Sequence, residues 1–124
     1  MLNVLIFTEW KKSPPELLDF IAEKMKNVDC GYRKIFGYPA YFINGNMFTG
    51  VFADKLFLRL SEEDITKIMR DCKEISTFEP MQGRPMKGYV FIPKSAYLNN
   101  AFFDEWLGKS IKFVSSLPAK QNKK

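Results

Sequence analysis

The sequence predicts a single α+β domain: a two-layer sandwich with an antiparallel sheet, helices on one face, and the order α-β-β-β-α-β-β-α. Three observations carry this expectation. The chain has 124 residues, of which 46% are apolar and 12 are Phe, enough for one core in one domain. Apolar residues recur with helical spacing in three separate segments, with strand-like runs between them. The connecting loops are short, which favours antiparallel neighbours with helices gathered on one side. No repeat or linker divides residues 1–124, so they form one domain, with 1–12 an unassigned leader and 119–124 a basic tail.

The leader is ambiguous between strand and helical lead-in. Its apolar run Val4-Leu5-Ile6-Phe7 is too short for a membrane span or a signal-peptide core, and Glu9, Lys11 and Lys12 follow it. A soluble cytoplasmic protein with no membrane contact is expected. In Ser13-Pro14-Pro15-Glu16, Ser13 suits a helix cap, Pro14 the first helical position and Glu16 the reciprocal position of a capping box. Leu17, Leu18, Ile21, Met25 and Val28 then repeat with helical spacing, and the helix is expected to stop before Gly31.

Residues 40–60 read as a three-stranded meander. Asn44-Gly45 between apolar runs signals a two-residue hairpin turn, because both turn positions need positive φ. Ala53-Asp54 reads as a second such turn. With both loops two residues long, position 42 faces 47 and 51 faces 56. One face then carries Ala40, Phe42, Met47, Thr49, Val51, Leu56, Leu58 and Leu60, and is expected under the helices. The other carries Tyr41, Ile43, Asn46, Phe48, Gly50, Phe52, Lys55, Phe57 and Arg59. Next, Ser61 caps a second helix with Glu62, Glu63 and Asp64 in its first turn and Ile65, Ile68, Met69 and Cys72 as its stripe. A strand follows near Ile75–Phe78, then a loop dense in Pro and Gly, then a strand from Gly88 to Ile92 ended by Pro93. Asn99 or Asn100 caps the last helix, with Asp104 and Glu105 in its first turn and a wide stripe from Phe102 to Leu117; Pro118 stops it.

The residue inventory narrows the chemistry. The formal charge of +5 permits contact with nucleic acid or another polyanion, although three lysines of the tail supply part of it. There is no histidine, which removes histidine triads and histidine-ligated metal sites. The two cysteines, Cys30 and Cys72, form no CxxC and read as small buried hydrophobes. No phosphate-binding glycine loop occurs. The acids at Glu62-Glu63-Asp64 and Asp104-Glu105 are accounted for by helix starts. No catalytic, metal or cofactor residues are therefore assigned.

Two features remain as binding candidates. In the loop Phe78-Glu79-Pro80-Met81-Gln82-Gly83-Arg84-Pro85-Met86-Lys87-Gly88, prolines and glycines fix turns, Phe78, Met81 and Met86 plug onto the core, and Arg84 pairs internally. Alternatively, Arg84 and Lys87 form an anion-contacting edge with Arg33 and Lys34, or the loop binds a partner. On the meander, Tyr41, Phe48, Phe52 and Phe57 would expose a large apolar patch, interleaved with Lys55 and Arg59. Such a patch reads first as a self-association surface giving a homo-oligomer, and second as a stacking platform for single-stranded nucleic acid. A cover from the chain's own leader or loop is the structural alternative.

Arg33-Lys34-Ile35-Phe36-Gly37-Tyr38-Pro39, Asn44-Gly45-Asn46-Met47-Phe48-Thr49-Gly50, Phe78-Glu79-Pro80-Met81 with Gly83-Arg84-Pro85-Met86, and Ser115-Ser116-Leu117-Pro118 together resemble the TfoX amino-terminal domain family over roughly residues 13–119. The resemblance implies a small α+β sandwich similar to the type III secretion-chaperone fold. It also implies kinship with regulators of natural competence, which carry a second, carboxy-terminal domain that this sequence lacks. The functional expectation is a small cytoplasmic, non-enzymatic binding or regulatory module, with a nucleic-acid-binding regulator or an enzyme with an unrecognised site as alternatives.

Overall fold

Three two-residue turns shape the sheet of the computed structural model, which describes residues 12–81 and 83–120. Asn44 and Gly45 adopt φ of +52° and +80°, as their chemistry predicts, and join β2 (Tyr38–Ile43) to β3 (Asn46–Phe52). Ala53, at φ +57°, opens the turn from β3 to β4 (Lys55–Arg59). The third turn, Phe36-Gly37 at +56° and +85°, joins β1 (Gly31–Ile35) to β2. The sequence reading had no strand here. All of β1 is exposed or half-exposed, so it carries no buried alternation to read.

The remaining elements follow closely. Helix α1 spans Pro15–Met25, α2 Glu62–Asp71, and α4 Asn100–Ser115; β5 is the two-residue Ser76–Thr77 and β6 is Tyr89–Ile92. A one-turn helix, α3 (Lys94–Tyr97), follows Pro93 where none was expected. The sheet order is β1-β2-β3-β4-β6-β5, and every neighbouring pair is antiparallel. The class is α+β, with one strand and one short helix more than the expected order. Leu17 and Ile21 of α1, Ile68 of α2, and Phe103, Leu107 and Val114 of α4 pack in one core with Val51, Leu56, Leu58, Val90 and Ile92. The second core, around Phe57, Phe78 and Tyr89, contains no helical residue, so the helices occupy one face.

The expected caps hold at two of three helices. Ser61 accepts from the Asp64 N–H at 3.1 Å, and Asn99 accepts from the Phe102 N–H at 3.0 Å. Ser13 does not cap α1. Its hydroxyl instead donates to the Ala53 carbonyl at 2.5 Å, fastening the start of α1 to the β3–β4 turn, and Pro14 occupies the cap position. Asp104 and Glu105 stand past the first turn of α4, because the helix begins at Asn100. Asp104 serves the packing of two helices: its carboxylate accepts from Lys24 Nζ of α1 at 2.8 Å, and Lys24 also donates to Asn100 at 3.0 Å.

The face assignment of the meander is half right, and a β-bulge explains why. Val51 pairs with Leu56 and Thr49 with Leu58, as the two-residue turn requires. Tyr41 pairs with Thr49 but Phe42 pairs with Met47, so Phe48 is an extra residue on β3. A bulged residue shares the side of its neighbour and inverts the alternation beyond it. Phe48, Tyr41 and Ile43 therefore join the helix-facing core, while Met47 packs on the opposite face with Phe57 and Phe78. The sequence reading had placed Tyr41, Ile43 and Phe48 on the open face and Met47 under the helices.

After α4 the chain turns back onto the β2–β3 hairpin. Asn46 Nδ2 donates to the Pro118 carbonyl at 3.0 Å, and the Lys120 N–H donates to the Asn44 carbonyl at 2.7 Å. The expected basic tail is thus fixed as far as Lys120; residues 121–124 and leader residues 1–11 lie outside the described residues.

Two substitutions test this arrangement. Gly45 sits at positive φ, and a Cβ there would run into the Lys120 backbone. Gly45→Val is expected to destabilise by more than about 1 kcal/mol, read from the urea midpoint. Phe48 is 0% exposed. Phe48→Ala is expected to cost about 3–5 kcal/mol, and Phe48→Glu to prevent folding rather than to release a monomer. A near-native midpoint for Phe48→Ala would refute the bulge.

Candidate binding site on the second face of the sheet

The face turned away from the helices is covered in part by the Pro- and Gly-rich loop between β5 and β6. Phe78 anchors it. Its ring stacks on Phe57 at 4.9 Å and meets Phe52 edge-on at 6.3 Å. Its N–H donates to the Tyr89 carbonyl at 3.0 Å, and its own carbonyl accepts from the Met86 N–H at 2.8 Å. The Arg84 N–H closes a turn onto the Met81 carbonyl at 2.9 Å, with Gly83 at φ +79° inside it. Below Phe78, the Phe57 ring lies against Gly50, where a side chain would meet both that ring and the Pro39 carbonyl. Tyr89 finishes this layer. Its hydroxyl donates to the Met47 carbonyl at 2.9 Å, and its ring meets Phe57 at 5.7 Å and the Arg59 guanidinium at 5.7 Å. Burial pushes the Tyr89 phenol above its ordinary range, with the Arg59 charge opposing.

Between this loop and the Phe36-Gly37 turn lies an apolar pocket of about 120 Å³, whose lining includes Ile35, Phe36, Ala40, Met47, Phe57 and Met86. Two large apolar side chains near it are unusually open: Phe36, 77% exposed and at positive φ, and Met81, 64% exposed. Cations border the same face. Arg33 stands two residues from Ile35 along β1 and places its guanidinium 4.5 Å from the Phe42 ring centroid. Arg84 and Lys87 are exposed on the loop. Behind β1, on the helix side, an open groove of about 780 Å³ runs between α1 and the first hairpin, lined by Lys12, Pro14, Leu18, Tyr32, Lys34 and Tyr41 among others. Among the described residues strand β1 lies at the edge of the sheet, so its outer row of N–H and C=O groups faces away from β2.

The expected site residues divide accordingly. Arg33, Arg84 and Lys87 flank the second face, while Lys34 lies on the opposite side of β1, over the groove. Tyr41 and Phe48 belong to the helix-facing core, Phe57 is covered by Phe78, and Phe52 is half-buried. The open aromatic patch expected from Tyr41, Phe48, Phe52 and Phe57 is therefore not present, because the bulge takes two members and the loop covers the others. Lys55 Nζ sits 5.7 Å over the Phe91 ring and 3.8 Å from Asp54. Arg59 lies between Tyr89 and Phe113, at 5.7 and 5.9 Å. Among the described residues Arg84 makes no side-chain ion pair, so the expected internal partner is not found and Phe78 and Met86 hold the loop. Tyr32 and Phe36 were not singled out, and Met81, expected to plug onto the core with Phe78 and Met86, is instead exposed and outside the second core. Phe36-Gly37 was the one legible signal, since Gly in a two-residue loop marks a hairpin.

The reactive groups offer little chemistry. Both cysteines are free. Burial, then the Asp29 charge, raises the Cys30 thiol, away from the thiolate that a nucleophile needs. Among the described residues no three His, Cys, Asp or Glu side chains gather as a metal site, and no helix is long and apolar enough to cross a membrane.

A family model described as the TfoX N-terminal domain matches residues 24–114. No match was found among curated proteins or solved structures.

Two measurements test the account of the loop. Arg84→Ala is expected to change stability by less than about 0.5 kcal/mol, whereas Phe78→Ala costs about 3–5 kcal/mol. The reverse order would show that the arginine holds the loop. The Tyr89 phenol is raised in the fold, so its stabilisation is intact below its ordinary value of 10.0 and is lost as pH climbs above it. Tyr89→Phe is therefore expected to be less stable than the native chain at neutral pH, and the gap to narrow in alkali, by denaturant titration at both pH values.

Proposed function

The chain belongs to the TfoX N-terminal domain family, which points to a small regulatory module, and from that premise we propose that the domain is a non-enzymatic binding module that takes an extended acidic polypeptide segment along β1. The observation that supports this most is the edge itself. Among the described residues strand β1 pairs only with β2, and Tyr32, Arg33 and Lys34 are exposed along it. An added strand gains main-chain hydrogen bonds, while its alternate side chains fall on the two faces. On one side they meet the apolar groove beside Leu18 and Tyr41, with Lys12 and Lys34 at hand; on the other they meet Arg33. Acidic residues complement both sides.

Charge also argues against a second copy as the occupant. An antiparallel self-pair centred on Arg33 sets Arg33 opposite Arg33, and a shift by one sets Arg33 opposite Lys34. Like charges directly opposite destabilise a strand pair. Self-association, if it occurs, is better served by another surface. Free Cys30 and Cys72 suit a reducing compartment, and the cytoplasm is the proposed setting.

The test uses a short peptide alternating glutamate and valine, against its lysine–valine counterpart and a single-stranded oligonucleotide. The acidic peptide is expected to bind, to weaken with salt, and to shift backbone amide signals of β1 first. The Arg33→Glu/Lys34→Glu double variant is expected to keep its fold and lose at least tenfold in affinity. Binding that survives charge reversal would refute the edge. Tighter binding of the oligonucleotide, with amide shifts outside β1, would favour the nucleic-acid reading instead.

A further inference from the structure

The pocket beneath the β5–β6 loop is separate from the β1 edge, and its composition differs. We propose that it is a binding site for a small uncharged apolar molecule, aromatic or short aliphatic, no larger than a bicyclic ring. Well-packed interiors contain few voids much larger than a water molecule. At about 120 Å³, this pocket is of the size that accommodates such ligands: an apolar cavity of about 150 Å³ is enough to hold benzene. No charged side chain lines it, and two methionines, Met47 and Met86, contribute flexible, polarisable walls that adapt to ring shapes.

The space depends on a small residue in its lining. Ala40 lines the pocket, while Gly50, its partner across the sheet, is covered by the Phe57 ring. A larger side chain at position 40 would project into the pocket.

Phe36 at the rim provides independent support. A two-residue turn with positive φ at both positions favours Asn-Gly, as the neighbouring Asn44-Gly45 turn shows. Phe36 instead places a bulky ring at φ +56° and leaves it 77% exposed, which costs both backbone strain and apolar hydration. The residue is part of the pocket lining. Strain combined with exposure at a pocket wall is what a ligand contact would retain against the stability of the turn.

The experiment follows methyl signals of the six methionines in the full chain while benzene or indole is added. Met47 and Met86 are expected to shift saturably, whereas Met25 and Met69, on the helix side, remain unchanged. Ala40→Ile is expected to weaken binding at least tenfold by filling the pocket. If that variant fails to fold, Phe36→Asn carries the test: it is expected to raise the melting temperature by suiting the turn, yet to weaken binding at least threefold. Non-saturable shifts, shifts spread over all six methionines, or affinity unchanged in Phe36→Asn would overturn the proposal.

Discussion

The extra residue in β3 decides what each face of this sheet is made of. With Phe48 bulged, Tyr41 and Ile43 turn toward the helices and Met47 turns away. Without it, the first two strands would expose a different set of side chains from the last two. The bulge thus lets one chain supply two unlike layers. A largely aliphatic sheet layer beneath α1, α2 and α4 is completed by Tyr41 and Phe48, and an aromatic–methionine layer is left for the loop. Thr49, next to the bulge, is fully buried, and its hydroxyl donates to the Phe57 carbonyl at 2.8 Å, which satisfies this polar group inside the core.

The second layer depends on one ring. Phe78 covers Phe57, is tied by backbone hydrogen bonds on both sides, and orders a loop whose other residues are mostly exposed. Gly50 is the complement, since only an absent side chain lets Phe57 lie flat enough to be covered. The prolines and glycines of the loop shape its path, but its attachment to the domain is the burial of Phe78 and, less completely, Met86.

Much of the fold was legible because helix caps, the Asn-Gly turn and helical apolar stripes are local signals. Ser61, Asn99, Asn44-Gly45 and the Ile68 stripe all read correctly. What was not legible is non-local. A bulge changes no composition, so Phe48 read as an ordinary alternating strand residue. Edge strand β1 lacks burial on either face and so lacks a pattern. Ser13 looked like a cap because a hydroxyl before Pro reads that way; its acceptor, the Ala53 carbonyl, is distant in sequence. The candidate site was legible in its cations and loop, through Arg33, Arg84 and Lys87, but not in its pocket. That pocket depends on which way Ala40 and Met47 face, and so on the bulge.

The return of the chain after α4 onto the β2–β3 turn implies an order of assembly. The first four strands are joined by two-residue turns, so their pairing closes only short loops and is entropically cheap to begin. The Asn46–Pro118 contact spans 72 residues and requires that α4 already lie on the sheet. The segment 118–120 is therefore the last to lock and the first to release. Amide exchange there reports opening of the terminal clasp, while exchange in β2 to β4 reports loss of the whole domain.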